Sequence, residues 1–260
     1  MSLESLFSLR GKTALVAGAS RGIGLAIAKE IAAAGAHTIL AARSMDKLEE
    51  RAKELRDAGY SAEAGKLDTA DSASIQALAA AVGSKVDILI NVSGMNIRKK
   101  FEEFTKEEYN RILETNLHGI VELTQAIGKQ MVARGQGGKI VNIGSLMSLV
   151  GLPYLVPYAI TKSGLAGLTR VLAAEWGRHG IQVNLIAPGF IITDLNRAMW
   201  EPQFMLDWLK GIQGNPRPGT PEDIAGLAVF LSGPGAAYIT GQVIPVDGGY
   251  STTAVWPFEP

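Results

Sequence analysis

The chain of 260 residues contains no cysteine, which excludes disulfides, thiol catalysis and metal sites built on cysteine ligands. Its three histidines, His37, His118 and His179, lack the spacing of a metal site. Neither sign of charge is in excess, since 25 basic residues stand against 25 acidic ones. We therefore expect no bound metal and no nucleic acid as a partner.

Long apolar runs are also missing. No segment approaches the ~18 apolar residues that a membrane-spanning helix needs. The opening residues 1–12 lack the basic start and the apolar stretch of a signal peptide. The sequence therefore predicts a cytoplasmic protein that has no membrane partner.

What the sequence does contain is a regular alternation of short apolar runs with stretches of helical spacing. This alternation predicts a parallel sheet covered on both faces, and nearly continuous apolar runs are typical of its strands. The fold class expected is α/β, a Rossmann-like doubly wound parallel sheet with helices on both faces, in a single domain over residues 1–260. The expected strands are 13–18, 37–42, 61–68, 86–94, 138–145, 181–189 and 241–249. The stretches expected to be helical are 25–35, 47–59, 74–83, 106–135 and 158–180.

An irregular segment, residues 190–217, follows the sixth predicted strand. Its apolar residues come at helical spacing, but only in short pieces. An insertion after a late strand of a doubly wound sheet lies over the carboxyl ends of the strands, where ligands bind. The segment is therefore predicted to be a substrate lid. The alternative is a loop packed by its own apolar residues.

Three glycines, Gly18, Gly22 and Gly24, follow the first apolar run and precede a helical pattern. Glycines allow a tight turn and the close approach of a phosphate, and a helix N-terminus favours negative charge. The stretch 14–24 is therefore predicted to bind the phosphates of a dinucleotide. A plain turn between a strand and a helix is the alternative.

The end of the second predicted strand indicates which dinucleotide is bound. An acidic residue there would accept a hydrogen bond from a free ribose 2′-hydroxyl, but this chain has Ala42 followed by Arg43, and Arg21 lies in the glycine turn. Arginine holds phosphate with paired donors. The predicted cofactor is NADP(H) in preference to NAD(H), and the alternative for each arginine is a solvated surface charge.

Tyr158 and Lys162 lie four residues apart in a predicted helix and so share one face. An ammonium group near a phenol lowers the phenol's pKa, which makes tyrosine a usable acid or base near neutral pH. Ser145 stands thirteen residues earlier, at the end of a predicted strand. Its hydroxyl is expected to hold a substrate oxygen while the tyrosine exchanges its proton.

Several motifs occur in order along the chain: GASRGIG, ILINVSG, NLHG, the set of Ser145, Tyr158 and Lys162, VNLIAPG and ITGQVIPVDGG. From about residue 7 to residue 250 the chain closely resembles the short-chain dehydrogenase/reductase family. It departs from the family's pattern at Ala17, where a threonine is usual, and in Asn91-Val92-Ser93-Gly94, where N-N-A-G is usual.

The resemblance implies a role for each matching residue. Tyr158 would exchange the proton, and Lys162 would lower its pKa and hold the nicotinamide ribose. Ser145 would position the substrate oxygen, and Asn116 would break a long helix and hold a water of the proton relay. The predicted contacts to the phosphates and adenosine are Gly18, Ser20, Arg21, Gly22, Ile23, Gly24, Arg43, Asp68, Asn91, Val92 and Gly94. Those to the nicotinamide are Pro188, Gly189, Ile191 and Thr193, beside Tyr158 and Lys162.

The implied reaction is hydride transfer between NADP(H) and a small-molecule carbonyl or secondary alcohol. Stretches 6–18, 94–105 and 193–209 resemble gluconate 5-dehydrogenases and related sugar-acid or polyol enzymes. Arg98 would meet the carboxylate of such a substrate, and Met147 and Trp200 are further candidate substrate contacts. The alternatives are a 3-oxoacyl-thioester reductase, on the C-terminal motif, and a broad ketone reductase, on the apolar residues of the predicted lid.

A function of another class is a sensor that binds NADP without turnover. The intact set of Ser145, Tyr158, Lys162 and Asn116 argues against it, because members that lose catalysis commonly lose one of these groups.

The resemblance also implies a homotetramer, joined through the helices near 106–135 and 158–180. Small residues within 163–177 would allow close contact between helices. The C-terminal stretch VWPFEP carries two aromatic residues, and its predicted docking place is a neighbouring subunit.

Overall fold

The computed structural model describes residues 2–254. Its centre is one sheet of seven parallel strands in the order β3-β2-β1-β4-β5-β6-β7. Each strand lies within one of the predicted apolar runs, which confirms the α/β fold with a doubly wound parallel sheet. The strands are β1 (Thr13–Ala17), β2 (His37–Ala42), β3 (Ala62–Lys66), β4 (Ile88–Asn91), β5 (Gly138–Ile143), β6 (Ile181–Pro188) and β7 (Val243–Val246).

Ten α-helices lie within the described residues. They are α1 (Leu3–Phe7), α2 (Gly22–Ala33), α3 (Met45–Asp57), α4 (Ser72–Val82), α5 (Lys106–Leu113), α6 (Gly119–Arg134), α7 (Val156–Trp176), α8 (Arg197–Trp200), α9 (Gln203–Lys210) and α10 (Pro221–Ser232). Neighbouring strand residues point to opposite faces of the sheet. Val16 accordingly packs in the core formed with α2, α3 and α10, whereas Leu15 packs in the core formed with α4 and α6. Helices therefore cover both faces, as predicted.

The strand order reverses between β1 and β4, so their following loops separate there and leave a crevice. The loops are very close at their base. Val92 and Ser93 both donate backbone hydrogen bonds to the Ala17 carbonyl, at 2.8 and 3.0 Å. A Cβ added to Gly18, whose φ is +98°, would lie 2.7 Å from the Ser93 nitrogen, so no larger residue fits at this position.

The long helical stretch predicted over 106–135 is broken, as the resemblance implied. A π-helical turn over Glu114–His118 separates α5 from α6. Such turns occur frequently at functional sites. A Cβ added to Gly119, at the start of α6, would lie 1.6 Å from the Thr69 carbonyl oxygen, so α6 begins in direct contact with the loop after β3.

The segment 190–217 contains α8 and α9, which match the short helical pieces expected from its sequence. The stretch VWPFEP, residues 255–260, lies outside the described residues. No helix between residues 2 and 254 has both the length and the apolar character needed to cross a bilayer.

Candidate active site

The glycine turn after β1 forms a cradle at the N-terminus of α2. Gly18 and Gly22 both have positive φ, +98° and +55°, which glycine adopts without strain. A Cβ added to Gly24 would lie 2.1 Å from the Gly18 carbonyl oxygen, so the turn packs directly on the first turn of α2. Ser20 and Ile23 are half-buried beside these glycines. The cradle presents backbone N–H groups and a helix N-terminus, which is the arrangement that binds phosphate.

The two arginines predicted to select the cofactor lie at the same edge of the sheet. Arg21 is the N-cap residue of α2, and Arg43 follows directly after the last residue of β2. Both side chains are exposed. They are therefore accessible to an anionic group bound at the glycine turn.

The residues predicted to contact adenine fall into two groups. Asp68 and Val92 are half-buried and Gly94 is exposed, so they are accessible from the crevice. Asn91 is 1% exposed. Its side-chain amide donates to Thr124 Oγ1 and to Asn142 Oδ1, both at 2.9 Å. Asn91 therefore fastens β4 to β5 and α6, and its side chain points away from the crevice.

Ser145 lies just beyond β5, where it is the N-cap of a 3₁₀ turn over Leu146–Ser148. Its hydroxyl oxygen accepts a hydrogen bond from the Met147 N–H at 3.2 Å. The turn is fastened to α7, because Ser148 Oγ donates to the Lys162 carbonyl at 2.9 Å and Ser163 Oγ donates to the Met147 carbonyl at 3.0 Å. These bonds hold Ser145 beside the first turns of α7.

Tyr158 lies in the first turn of α7, and Lys162 follows one turn later. Burial raises the pKa of Tyr158, whereas a hydrogen bond from Ser145 and the positive charge of Arg98 act to lower it. That Lys162 lowers this pKa stays a prediction. Lys162 Nζ donates to the Ile143 carbonyl at 2.8 Å and lies 5.6 Å from the centre of the Tyr158 ring. The influences on the Tyr158 pKa that the structure resolves are burial, Ser145 and Arg98.

Lys162 is itself 3% exposed. Because burial disfavours the charged form of an amine, the pKa of Lys162 is lowered to about 8. The ammonium group therefore loses its proton close to the physiological range of pH.

Asn116 lies in the π-helical turn and is fully buried. Its Oδ1 accepts from the Met95 N–H at 2.8 Å, and its Nδ2 donates to the Met95 carbonyl at 2.7 Å. A Cβ added to Gly94 would lie 3.6 Å from both Asn116 Oδ1 and Lys162 Nζ. The loop after β4 is thus pinned by the Asn116 side chain next to Lys162. That Asn116 holds a water of the proton relay stays a prediction.

The residues predicted to hold the nicotinamide line the opposite wall, at the end of β6. Gly189 donates to the Val246 carbonyl at 2.9 Å, and a Cβ added to it would lie 2.5 Å from Asp247 Cα. Pro188 and Ile191 are buried. A Cβ added to Gly22 would lie 3.5 Å from Thr193 Cγ2. Thr193 therefore reaches across to the glycine turn and closes one side of the crevice.

The three candidate substrate contacts lie in different surroundings. Arg98 is exposed, contacts the Met199 sulfur, and acts on Tyr158 through its charge. Met147 is 3% exposed and packs in a small apolar cluster that includes Tyr158. Trp200 is 4% exposed and packs edge-on against Phe190, with ring centroids 5.7 Å apart. Of the three, Arg98 is the side chain that is accessible to a polar substrate.

The sequence motifs assign no role to two residues of this region, Phe190 and Asn196. Phe190 forms edge-on contacts with Trp200, Trp208 and Tyr250 and so joins the segment 190–217 to the apolar cluster around Tyr158. Its place directly after Pro188-Gly189 was a usable signal. Asn196 bonds to Thr193 and Ile191 through its side chain. Its spacing of three residues from Thr193 was the corresponding signal, because asparagine bonds locally to nearby backbone.

The arrangement offers a phenol suited to proton exchange and a glycine turn suited to phosphate. Tyr158 is the predicted carrier of the exchangeable proton, Ser145 offers a second hydroxyl, and Lys162 lies nearby. Thr193 borders the glycine cradle, and the exposed Arg98 acts on Tyr158 through its charge.

Comparisons with known proteins find similarity over nearly the whole chain. The family model described as Enoyl-(Acyl carrier protein) reductase matches residues 18–251. The chain is 37% identical over 256 residues to gluconate 5-dehydrogenase of Gluconobacter oxydans, which covers 97% of this chain and 100% of the relative. It is 38% identical over 245 residues to a 3-oxoacyl-[acyl-carrier-protein] reductase of Vibrio cholerae, with coverage of 93% and 98%.

One solved structure is similar in both fold and sequence over nearly the whole chain. Gluconate 5-dehydrogenase from Burkholderia cenocepacia, in complex with NADP and tartrate, has a TM-score of 0.93 and 34% identity to this chain, covering 97% of it and 100% of the solved chain.

Proposed function

Because the chain belongs to the short-chain dehydrogenase/reductase family of oxidoreductases, we propose that it interconverts a ketone of a sugar acid and the corresponding secondary alcohol with NADP(H). The observation that carries the proposal is that Ser145 bonds to the Tyr158 phenol and that the positive charge of Arg98 acts on the same phenol. In the proposal, the Tyr158 hydroxyl donates a proton, the Ser145 hydroxyl orients the reacting oxygen, and the exposed Arg98 binds a charged substrate group.

The fit of the dinucleotide rests on the cradle itself. Gly18 and Gly24 leave no room for a Cβ, and Gly22 has a positive φ that glycine adopts without strain. The N-terminus of α2 lies at the same turn. Arg43 stands where a 2′-phosphate is distinguished from a free hydroxyl. The similar protein from Burkholderia cenocepacia binds NADP. When bound, the nicotinamide supplies or accepts the hydride.

Tyr158 performs the proton transfer. Its raised pKa keeps the phenol protonated at neutral pH, which is the form that a carbonyl oxygen needs as the hydride arrives. Ser145 orients that oxygen and also bonds to the phenol oxygen, so the tyrosinate left after transfer is stabilised. Lys162 adds positive charge while it remains protonated.

Arg98 binds the substrate carboxylate in this proposal. We expect Arg98→Ala to raise KM for 5-ketogluconate about 10- to 100-fold, because a charge-assisted hydrogen bond contributes about 1.5–3 kcal/mol, and to change KM for an uncharged cyclic ketone less than twofold. Lys100→Ala, which removes another exposed cation of the same loop, serves as the control. Steady-state oxidation of NADPH measures all three proteins.

The same measurements separate the alternatives. An equal rise in KM of Arg98→Ala for charged and uncharged ketones would contradict carboxylate recognition by Arg98. Preferential turnover of an acetoacetyl thioester would support the reductase of 3-oxoacyl thioesters, the activity named for the Vibrio cholerae relative. Binding of NADPH without turnover of any ketone would support the alternative of a sensor that binds NADP without catalysis.

Arg43 sets the preference for the phosphorylated cofactor. We expect Arg43→Ala to lower kcat/KM for NADPH about 10-fold or more, through loss of a charge-assisted contact, and to leave kcat/KM for NADH nearly unchanged. Lys29→Ala removes an exposed cation on α2 and is the control. A wild-type enzyme that prefers NADH would show that Ala42 and Arg43 do not select the cofactor.

The segment 190–217 is proposed as the substrate lid, supported by the contact of Arg98 with Met199 and by the Phe190 aromatic contacts.

A homotetramer is proposed because α6 and α7 border an open apolar groove, which a second subunit would cover. Leu117, Val121, Gly164, Gly167, Leu168 and Val171 line the groove, and His118, Glu122 and Gln125 also border it.

A further inference from the structure

Neither the motifs nor the comparisons assign a role to Asn196. Both polar atoms of its side-chain amide form hydrogen bonds within the segment that follows β6. Its Oδ1 accepts from the Thr193 N–H at 2.7 Å and from Thr193 Oγ1 at 3.3 Å. Its Nδ2 donates to the Ile191 carbonyl at 2.8 Å. One side chain therefore ties together two of the residues proposed to hold the nicotinamide.

These bonds determine how Thr193 is oriented. Its methyl carbon Cγ2 lies over Gly22, since an added glycine Cβ would be 3.5 Å away, and its Oγ1 points to Asn196. A threonine hydroxyl has one hydrogen to donate and two lone pairs to accept. Because the hydrogen is committed to Asn196 Oδ1, the lone pairs remain for another partner. Thr193 is thereby restricted to accepting a hydrogen bond.

We propose that Asn196 is a positioning residue for the cofactor: it holds the Thr193 hydroxyl so that Thr193 accepts a hydrogen bond from the amide –NH₂ of the nicotinamide carboxamide. The inference rests on the proposed function, because it presumes a nicotinamide bound beside Thr193. It assigns selectivity for the amide end of the ring to a residue that does not itself touch the ring.

The chemistry of the amide explains why asparagine suits this position. Oδ1 serves the two Thr193 donors, and Nδ2 serves the Ile191 carbonyl. Aspartate has nearly the same shape and accepts both Thr193 bonds, but it places a carboxylate oxygen against the Ile191 carbonyl. Asn196→Asp therefore keeps the two Thr193 bonds and replaces the third with a repulsion between two oxygens, whereas Asn196→Ala loses all three bonds.

The test compares two dinucleotides that differ at the group concerned. One is NADPH, and the other is reduced 3-acetylpyridine adenine dinucleotide phosphate, in which a methyl group replaces the amide –NH₂. Their dissociation constants are measured by fluorescence titration without substrate. We expect Thr193→Val and Asn196→Ala each to weaken NADPH binding about 3- to 10-fold, the effect of one lost hydrogen bond, and to leave binding of the acetylpyridine analogue within about twofold.

Two further variants complete the test. Asn196→Asp should discriminate between the dinucleotides as the wild type does. Gln203→Ala, which alters an exposed residue of α9, should leave both dissociation constants unchanged. The double variant Thr193→Val/Asn196→Ala should be no weaker for NADPH than either single variant, because both remove the same contact.

The outcomes separate this inference from the proposed function. If Asn196→Ala weakens both dinucleotides equally, the residue only stabilises the segment and the inference is overturned. The same follows if Asn196→Asp loses the discrimination as completely as Asn196→Ala does. If the wild type binds neither dinucleotide, the proposed function fails and the inference fails with it.

Discussion

Replacing Tyr158 by phenylalanine is expected to lower kcat/KM for ketone reduction about 10³-fold, or about 4 kcal/mol in the barrier, because proton transfer by a positioned side chain contributes 10²- to 10⁴-fold. The ring of phenylalanine keeps the packing of Tyr158 against Met147 and Leu155, so only the proton is lost. Binding of NADPH should stay within about twofold of the wild type. Stopped-flow measurement of NADPH oxidation, together with a fluorescence titration, measures both quantities.

Tyr154→Phe is the matched control, because it removes a phenolic hydroxyl four residues away on an exposed side chain. It should retain nearly full activity. If Tyr158→Phe keeps more than about a tenth of the wild-type rate, Tyr158 is not the proton donor.

The dependence of the rate on pH tests the contribution of Lys162. Reduction by the wild type should decline as the pH rises through about 8, where Lys162 loses the charge that stabilises the tyrosinate.

Replacing Gly24 by alanine is expected to lower the free energy of unfolding by about 3 kcal/mol, at the upper end of what an overpacked site costs. The added Cβ would lie 2.1 Å from the Gly18 carbonyl oxygen and 2.8 Å from its carbon. Both neighbours are backbone atoms, so relief requires α2 to move away from the glycine turn. The same movement removes the cradle, and NADPH binding should be lost together with stability.

Gly226→Ala is the control for this substitution. Gly226 is exposed within α10 and has no atom within 4 Å of an added Cβ. Alanine is favoured over glycine in a helix by about 1 kcal/mol, so this variant should be slightly more stable than the wild type. Urea unfolding followed by circular dichroism measures both variants. A Gly24→Ala protein as stable as the wild type would show that the turn adapts to the side chain.

The strands and the glycine turn were predictable because their causes are local. Parallel strands buried on both faces must be apolar along their whole length, so β1, β4 and β6 stand out as apolar runs. The turn after β1 needs residues that accept positive φ, and only glycine does so without cost. These requirements act on neighbouring residues and are therefore visible in the amino-acid order.

The direction of the Tyr158 pKa shift was not predictable in the same way. The spacing of Tyr158 and Lys162 correctly places them one turn apart, but a pKa depends on everything that surrounds the phenol. Burial raises it, and the two opposing influences come from Ser145, thirteen residues away, and from Arg98, sixty residues away. Neither the burial nor the approach of Arg98 follows from the sequence near Tyr158.

The amino-acid sequence by itself determined the doubly wound sheet, the glycine turn and the residue types that carry the chemistry, because hydrophobic periodicity and glycine conformation are properties of neighbours in the chain. Tertiary structure alone decided three further things. It bound both polar atoms of the Asn116 amide to Met95, it committed the hydrogen of Thr193 to Asn196, and it brought Arg98 close enough to act on Tyr158. Hydrogen-bond direction and electrostatic environment depend on which groups the folded chain brings within a few ångströms of one another. Separation along the chain does not specify those distances.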